Sequence, residues 1–450
     1  MKSIRRTQSV ITLFLLVFIG GMALLVYKIN KEAPFYMMHS DNHQLGKVYD
    51  RNGDVLFDAA GTGYDENHFL DVGNLIGDDK GQMENTLVAQ NIDKLNNYSF
   101  SEGLVKEGGK AAIYTTLDHA ANRAVYNAYM GAKGCTVAYN YKTGELLVCT
   151  SLPSIDVTKG YANIGELESG TLISKAMYGT VPGSTQKVST VISALEIMGP
   201  DRLFSKTYNC SGQYMNRSGK PIDCHQSYGH GDQNIQQAVE NSCNPFFAQL
   251  VEDPDLPLGR LKDMYRKLGY AVNDDKPQYI DIDGIQCEKA STTLTDSYDF
   301  NTQWGCIGQG DTLVSPMQLM MWQSAIANGT GKMTMPHLID HVTDVYGNTT
   351  ETAKTKESAQ LFTPDTAETV KRILLTNGSN HYTGSISGYV LGIKSGTAQV
   401  KEGAEENALL VGFVSDERNP IAFCVVLENK YSTPVYAEQI VKTLLDSLCS

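Results

Sequence analysis

A serine and a lysine three positions apart form the first pattern that could carry covalent chemistry, in the stretch Ser184-Thr185-Gln186-Lys187. On a helix, positions i and i+3 share a face, so the hydroxyl of Ser184 and the amine of Lys187 would meet. A serine hydroxyl is a poor nucleophile until a base takes its proton, and a lysine is a base only when it is neutral. The pair predicts nucleophilic catalysis, but an ordinary helix start with a solvated lysine has the same residues.

A second pattern, Ser242-Cys243-Asn244, separates two predicted short helices at 234–242 and 245–252. Its serine hydroxyl could relay a proton, and its asparagine amide could hold a peptide bond of a substrate. A plain loop between two helices is the alternative interpretation. Taken alone, this pattern favours the plain loop.

A third pattern, Lys394-Ser395-Gly396-Thr397, lies inside a predicted strand. A charged residue and a glycine pack poorly there, and glycine in a strand often marks the close approach of a ligand or of another backbone. The lysine offers a fixed positive charge for a carboxylate, and Ser395 and Thr397 add hydroxyl donors. A charged edge strand that discourages aggregation is the alternative.

Periodicity predicts the elements that must position these residues. Apolar spacing of three and four residues predicts helices at 118–130, 184–198, 315–328 and 437–448. Strand-like runs are expected at 135–152, as two strands around a turn, and at 389–400, 408–414 and 421–428. Short connections between the last three predict an antiparallel meander. Strands at both ends with helices between them predict a mixed α/β domain, an antiparallel sheet flanked by helices.

The order of the three patterns carries more information than any one of them. Ser242 follows Ser184 by 58 positions, and Lys394 follows Ser242 by 152. Penicillin-binding proteins and class A β-lactamases have SxxK, SxN and KSG or KTG patterns in this order. The chain resembles the class B penicillin-binding proteins, which are monofunctional peptidoglycan D,D-transpeptidases. Further resemblance lies in 46–56, 142–154 and 307–319, including Ile307-Gly308-Gln309-Gly310.

This resemblance implies a penicillin-binding or serine β-lactamase-like fold and two sets of site residues. The implied catalytic set is Ser184, Lys187, Ser242 and Lys394. The implied substrate-binding set is Asn244, Ser395, Gly396 and Thr397. Ser184 would attack the carbonyl between the two terminal D-alanines of a stem peptide, and the N–H groups of Ser184 and Thr397 would form the oxyanion hole. β-Lactams would acylate the same serine.

The amino terminus predicts a membrane anchor. Lys2, Arg5 and Arg6 precede an apolar run from Val10 to Tyr27, which is long for the apolar part of a cleaved signal peptide. Basic residues before the run predict a cytoplasmic tail at 1–8, an anchor at 9–28 and a catalytic domain outside the plasma membrane. A short membrane-proximal, pedestal-like region is expected at 29–110 and the transpeptidase domain at 111–450.

The composition excludes one class of partner but does not decide the chemical state of the cysteines. The 37 basic and 50 acidic residues give a net charge of −13, which argues against a nucleic-acid partner. Stem peptides, β-lactams and the membrane are the expected partners. The family resemblance also implies a polytopic glycan polymerase as a partner. No metal or cofactor is expected. Cys210 and Cys224 would be two free thiols or a disulfide, with a metal site as the third choice.

Three other functions fit the same residues. A D,D-carboxypeptidase would use water as the acceptor, and a β-lactam-hydrolysing enzyme would share the serine and lysine patterns. A non-catalytic cell-wall scaffold or a β-lactam sensor would belong to another class, although the short cytoplasmic tail leaves little room for signal output. The choice between division, elongation and sporulation stays open.

Overall fold

The computed structural model describes residues 2–38, 45–59, 70–78, 81–99, 103–105, 108–157, 161 and 163–449. The α-helices are α1 (Lys2–Met38), α2 (Gly73–Ile76), α3 (Leu87–Gln90), α4 (His119–Ala128), α5 (Lys187–Met198), α6 (Pro200–Ser205), α7 (Ile235–Glu240), α8 (Asn244–Val251), α9 (Leu258–Leu268), α10 (Phe300–Ile307), α11 (Pro316–Ala327), α12 (Pro364–His381) and α13 (Ala437–Leu448). The strands are β1 (Lys47–Tyr49), β2 (Val55–Phe57), β3 (Tyr98–Ser99), β4 (Gly103–Leu104), β5 (Ala112–Thr115), β6 (Gly134–Asn140), β7 (Leu146–Leu152), β8 (Tyr208–Cys210), β9 (Gln213–Met215), β10 (Pro221–Asp223), β11 (Gly231–Gln233), β12 (Ala271–Val272), β13 (Tyr279–Ile282), β14 (Ile285–Glu288), β15 (Ser291–Thr292), β16 (Thr334–Met335), β17 (Ile339–Thr343), β18 (Thr349–Thr352), β19 (Lys356–Glu357), β20 (Leu391–Val400), β21 (Glu405–Val414) and β22 (Ile421–Leu427).

The central sheet has five strands in the order β20-β21-β22-β6-β7, and every neighbouring pair is antiparallel. Alternate side chains of a strand point to opposite faces, and both faces are covered here. Leu409 and Val411 of β21 belong to one buried cluster, whereas Leu410 and Val414 belong to another. The predicted antiparallel sheet flanked by helices is confirmed.

Helices cover the two faces of this sheet unequally. On one face, Val125 of α4 and Ile440 and Leu444 of α13 pack with strand residues in a small buried cluster. On the other face lies α11, all twelve residues of which are buried. A helix that is buried all round needs apolar side chains on all sides, and α11 supplies them with Met320 and Met321 among others. The larger cluster continues from α11 into α5, which follows the first sequence pattern.

A second five-stranded sheet, β18-β17-β5-β1-β2, joins the early and late parts of the chain. A turn at Asn52-Gly53 connects β1 to β2, and the Asp50 carboxylate accepts hydrogen bonds from the backbone N–H groups of Asn52 and Asp54 at 2.8 Å. Strand β1 then pairs in parallel with β5. Residues on both sides of position 110 therefore share one sheet, and the proposed division at that position stays a prediction.

Helix α1 contains the predicted anchor. Its stretch Ile4–Ile29 is long and apolar enough to cross a membrane, and the most apolar 18-residue window within it has a mean hydropathy of 2.6. None of its most apolar part is buried against the rest of the described chain.

Candidate active site

The three sequence patterns meet at the open edge of the central sheet. Strand β20, which carries the third pattern, is the edge strand. The first pattern forms a short 3₁₀ turn, Gly183–Gln186, that leads directly into α5 and packs beside β20. The second pattern forms the turn before α8, with Cys243 as the residue that caps this helix. Residues far apart in sequence thus converge because the sheet edge, α5 and α8 adjoin.

Two glycines permit this close approach. Gly183 has φ +54°, and a Cβ atom at this position would lie 2.5 Å from the carbonyl oxygen of Thr397. A Cβ atom on Gly396 would lie 2.7 Å from the carbonyl oxygen of Pro182. Only glycine fits at such distances, and left-handed φ also favours glycine. The glycine inside the predicted strand therefore marks the approach of another backbone, that of the serine-bearing turn.

Lys187 lies at the centre of the hydrogen-bond network. Its Nζ atom is 2.8 Å from Oγ of Ser184, 2.7 Å from the carbonyl oxygen of Ser242 and 2.7 Å from Oδ1 of Asn244. The Ser242 hydroxyl is farther away, at 3.3 Å. The ring centroid of Phe247 lies 5.5 Å from the same nitrogen. Ser242 has φ +48°, a left-handed conformation that is costly for a residue other than glycine.

The chemistry of these partners matches a neutral amine. The carbonyl of Ser242 and Oδ1 of Asn244 are acceptors only, so they take the two N–H groups of an uncharged lysine. In that neutral form, the remaining lone pair would face the Ser184 hydroxyl and accept its proton. Lys187 is fully buried, and burial lowers its pKa well below the ordinary value, with further lowering by the positive charge of Lys394. Geometry and electrostatics together favour a base directed at Ser184.

Lys394 is the second buried lysine of the site. Its Nζ atom donates to Oγ of Ser242 at 3.0 Å and to the carbonyl oxygen of Ser395 at 2.9 Å. Burial lowers the pKa of Lys394 to about 7. Ser242 thus lies between the two lysine nitrogens, where a hydroxyl can pass a proton from one side to the other.

Of the remaining predicted residues, Asn244, Ser395 and Thr397 line one groove of about 720 Å³. Thr397 is exposed on the outer face of β20, Ser395 is half-buried and Gly396 is buried. Both ends of the Asn244 side-chain amide form hydrogen bonds. Its Oδ1 atom accepts from Lys187, and its Nδ2 atom donates to the carbonyl oxygen of Asp223 at 3.0 Å. The groove is lined by Ser184, Pro221, Asp223, Cys224, His225, Ser242, Asn244, Phe300, Trp304, Ile307, Gln309, Ser395, Thr397, Gln399, Glu406, Lys430 and Tyr431.

Sequence reasoning missed the role of Gln309. Its Nε2 atom donates to the carbonyl oxygen of Thr397 at 3.1 Å, and its side chain is buried just after α10. The same carbonyl lies against Gly183, so Gln309 anchors the backbone of Thr397 beside the serine-bearing turn. In the sequence, the Ile307-Gly308-Gln309-Gly310 stretch contributes only to the family resemblance, and no local signal indicates a contact with β20.

A cluster of thiols and imidazole lies beside the second pattern. Cys210, Cys224, His230 and Cys243 each offer one ligand atom, and these atoms all lie within 4.8 Å of one another. All three cysteines are free thiols. A hydrogen bond with the Cys243 thiol lowers the pKa of Cys224. The alternatives predicted for Cys210 and Cys224 do not include Cys243, which the sequence places only in the second pattern.

These four groups fit a zinc ion, whereas no metal was expected from the sequence. Three sulfurs and one imidazole nitrogen are a ligand set that zinc prefers, and tetrahedral zinc would place sulfur and nitrogen about 3.5 Å apart. The Sγ atom of Cys224 lies 3.4 Å from Nδ1 of His230. A bound ion would connect β8, the residue after β10 and the turn before β11 to Cys243. Its contribution would be structural, holding the turn that carries Ser242 and Asn244.

Residues 134–446 match the family described as the penicillin binding protein transpeptidase domain. The chain belongs to this family. Its transpeptidase domain thus contains all three sequence patterns, and the predicted resemblance to class B penicillin-binding proteins is confirmed.

Curated relatives extend the comparison beyond the domain. The chain is 26% identical over 379 residues to the peptidoglycan D,D-transpeptidase MrdA of Salmonella typhimurium, covering 75% of this chain and 58% of the relative. It is 26% identical over 314 residues to the stage V sporulation protein D of Bacillus subtilis, covering 66% of this chain and 45% of the relative. The chain therefore spans about half the length of these relatives.

Solved structures share the fold. The penicillin G acyl-enzyme complex of penicillin-binding protein A from M. tuberculosis matches with a TM-score of 0.74 at 17% identity, covering 91% of this chain and all of that one. The predicted penicillin-binding fold is confirmed by this likeness and by the family match.

Proposed function

We propose that this protein is a serine D,D-transpeptidase that cross-links peptidoglycan stem peptides through an acyl-enzyme on Ser184. One observation carries the proposal: the buried amine of Lys187 lies 2.8 Å from the Ser184 hydroxyl and has its two N–H groups taken by acceptors. The name of the Salmonella relative, a peptidoglycan D,D-transpeptidase, supports the same reaction.

In the first half-reaction, Lys187 takes the hydroxyl proton while Oγ of Ser184 bonds to the carbonyl carbon between the two terminal D-alanines. The C–N bond then breaks. The departing amine needs one proton, and Ser242 can pass it on from the Lys187 ammonium. Lys187 returns to its neutral form, and the last D-alanine leaves with the proton that Ser184 lost.

In the second half-reaction, the amine of a neighbouring stem peptide attacks the acyl carbon, and the ester bond to Ser184 breaks. The amine loses one proton, which passes through Lys187 to Oγ of Ser184 and restores the hydroxyl. A water molecule in place of the amine would make the protein a D,D-carboxypeptidase, with the same residues and the same proton path.

Substrate binding follows from the groove. Ser395 and Thr397 would donate to the terminal carboxylate of the donor peptide, and Lys394 would add positive charge beside Ser242. Asn244 would hold the peptide backbone, and Gly396 allows the close fit of β20. The N–H groups of Ser184 and Thr397 would stabilise the oxyanion. The proximity of Thr397 to the serine-bearing turn supports this assignment.

Helix α1 supports a position in the plasma membrane as a single-pass protein. The basic residues before its apolar stretch would keep the amino terminus in the cytoplasm and place the catalytic domain outside. A polytopic glycan polymerase would be a fitting partner there, because newly polymerised glycan is the material that a transpeptidase cross-links. β-Lactams would block Ser184 as stable acyl adducts.

The test uses the full chain in detergent with a donor peptide that ends in D-Ala-D-Ala, with and without an amino-acid acceptor. Mass spectrometry would follow free D-alanine and the acceptor-bearing product. Transpeptidation predicts one D-alanine released for each cross-linked product, and none with Ser184→Ala. Release of D-alanine with only hydrolysed donor would indicate a carboxypeptidase. An intact donor with a folded protein would contradict an enzymatic role and favour a scaffold or sensor.

A further inference from the structure

A third lysine, Lys430, lies at the active-site groove and has no part in the reaction described above. It follows β22 in a short 3₁₀ turn, Lys430–Ser432. Its Nζ atom lies 3.4 Å from Oγ1 of Thr397 and 3.0 Å from Oε2 of Glu406, and 4.8 Å from the ring centroid of Tyr431. The loop after β22 therefore brings a cation to the hydroxyl that the substrate carboxylate is expected to use.

The placement of Lys430 differs from that of the two catalytic lysines. Lys187 and Lys394 are fully buried behind Ser184 and Ser242, whereas the side chain of Lys430 is 23% exposed and lines the open groove. A ligand bound at Thr397 would meet Lys430 without any rearrangement of the core. The ammonium of Lys430 forms an ion pair with the carboxylate of Glu406.

The contacts of Lys430 suit a carboxylate ligand. A carboxylate has two oxygens and about four lone-pair positions, more than the hydroxyls of Ser395 and Thr397 fill. The ammonium, 3.4 Å from the Thr397 hydroxyl, can supply a charge-assisted bond to the second oxygen. Glu406 and Tyr431 hold the ammonium at this place, but the negative charge of Glu406 also opposes a second anion.

We propose that Lys430 completes a carboxylate-binding subsite with Ser395 and Thr397, and that this subsite selects both the donor and the acceptor. The inference rests on the proposed transpeptidase function. In the donor, the leaving residue is an amino acid whose carboxylate is next to the scissile amide. The acceptor amine must enter where that amine left, since acylation run in reverse uses the same position. Acceptors with a carboxylate next to the reacting amine are therefore favoured over simple amines.

The experiment compares two probes on the full chain: a penicillin with its free carboxylate and the methyl ester of the same penicillin. Lys430→Ala is expected to lower the second-order acylation rate for the free acid about five- to twentyfold, the range for losing one partly exposed charge-assisted bond. The rate for the ester should change by less than about twofold, since it has no charge for Lys430 to bind. Lys430→Arg should restore most of the free-acid rate, and Glu406→Gln should raise it.

Lys401→Ala is the matched control, because Lys401 pairs with Glu405 on the same hairpin at 2.7 Å but lies outside the groove lining. It should leave both rates unchanged. Equal losses on acid and ester in Lys430→Ala would show a structural role and overturn the inference, as would unchanged rates on both. If the unaltered chain is not acylated by either probe, the proposed function fails and the inference fails with it.

The role of Lys430 in selecting the acceptor is tested by a separate measurement of product yield. With the unaltered chain, a D-amino acid acceptor should yield more product than the corresponding D-amino acid amide at equal concentration. Lys430→Ala should reduce this preference toward equality. An unchanged preference in that variant would overturn the assignment of Lys430 to the acceptor.

Discussion

The side-chain nitrogen of Lys187 and the hydroxyl oxygen of Ser184 lie 2.8 Å apart. The two residues are three positions apart in the sequence, so their side chains share one face of the helical segment. The first lies in the opening residue of α5 and the second in the 3₁₀ turn before it. No loop or hinge separates them, so the pair is held by local backbone geometry. The rest of the site, Ser242 and Lys394, comes to this pair from the turn before α8 and from β20.

Replacement of the base is the first prediction. Lys187→Met fills a similar volume without an amine, and acylation of Ser184 should fall about 10²- to 10⁴-fold, the usual contribution of a general base. Stopped-flow measurement with a chromogenic β-lactam checks this. Lys267→Met, at an exposed position on α9, is the control and should keep the full rate. A Lys187→Met protein that melts normally and retains at least half of the rate would contradict the role of Lys187.

The pH dependence of acylation follows from the two buried lysines. Burial lowers the pKa of Lys187 well below its ordinary value, and acylation should fall as acidification protonates the amine. Burial lowers the pKa of Lys394 to about 7, so its charge is lost as the pH rises through that value. If this charge assists acylation, the profile is bell-shaped with an alkaline limb near pH 7.

The matched variant for this profile is Lys394→Arg, which keeps the positive charge throughout the accessible pH range. Its maximum rate should be lower, because a guanidinium fits this buried position poorly, but its alkaline limb should disappear. An alkaline limb that stays near pH 7 in this variant would assign the titration to a group other than Lys394.

The contact of Gln309 with Thr397 gives a third prediction. Gln309→Ala removes a buried hydrogen bond of the kind that contributes about 0.5–1.5 kcal/mol, which corresponds to about two- to tenfold in rate. Acylation should slow by that factor for a free-acid penicillin and for its ester alike, because the loss lies in the backbone of β20. A loss confined to the free acid would instead mean that Gln309 binds the carboxylate.

The cluster around Cys243 gives a fourth prediction. Protein purified without chelators should contain about one zinc ion per chain by elemental analysis, and Cys210→Ser should lower that content. Removal of the metal should lower the melting temperature and slow acylation, since the turn carrying Ser242 would be less well held. Zinc-free protein with unchanged melting and acylation would contradict a structural metal at this cluster.

Much of the fold could be predicted because its elements have strong local patterns. The last helix lies at 437–448, where the sequence placed it, and the three strands of the meander are observed as β20, β21 and β22. These strands are long apolar runs separated by clear turns. The predicted helix at 184–198 differs from α5 only at its start, because Ser184, Thr185 and Gln186 belong to a tighter 3₁₀ turn.

The less predictable parts depend on contacts between distant segments. The parallel pairing of β1 with β5 has no signal in either short strand. Cys243 was interpreted within the second pattern, and only the fold brings His230 and Cys210 to it. The sequence shows Lys430 only as a lysine in a turn. The packing of β21 and β22 brings it beside Thr397, and this contact could not be predicted. Spacing along the chain identified the catalytic patterns, but not the groups that surround them.

The central claim, an acyl-enzyme on Ser184, is tested most directly by mapping a penicillin adduct on the full chain. Intact mass spectrometry followed by peptide sequencing should find one stable penicilloyl group on the peptide containing Ser184, and none in Ser184→Ala. Rapid loss of the adduct with hydrolysed penicillin would instead indicate a β-lactam-hydrolysing enzyme. An adduct on another residue, or none on folded protein, would contradict the account.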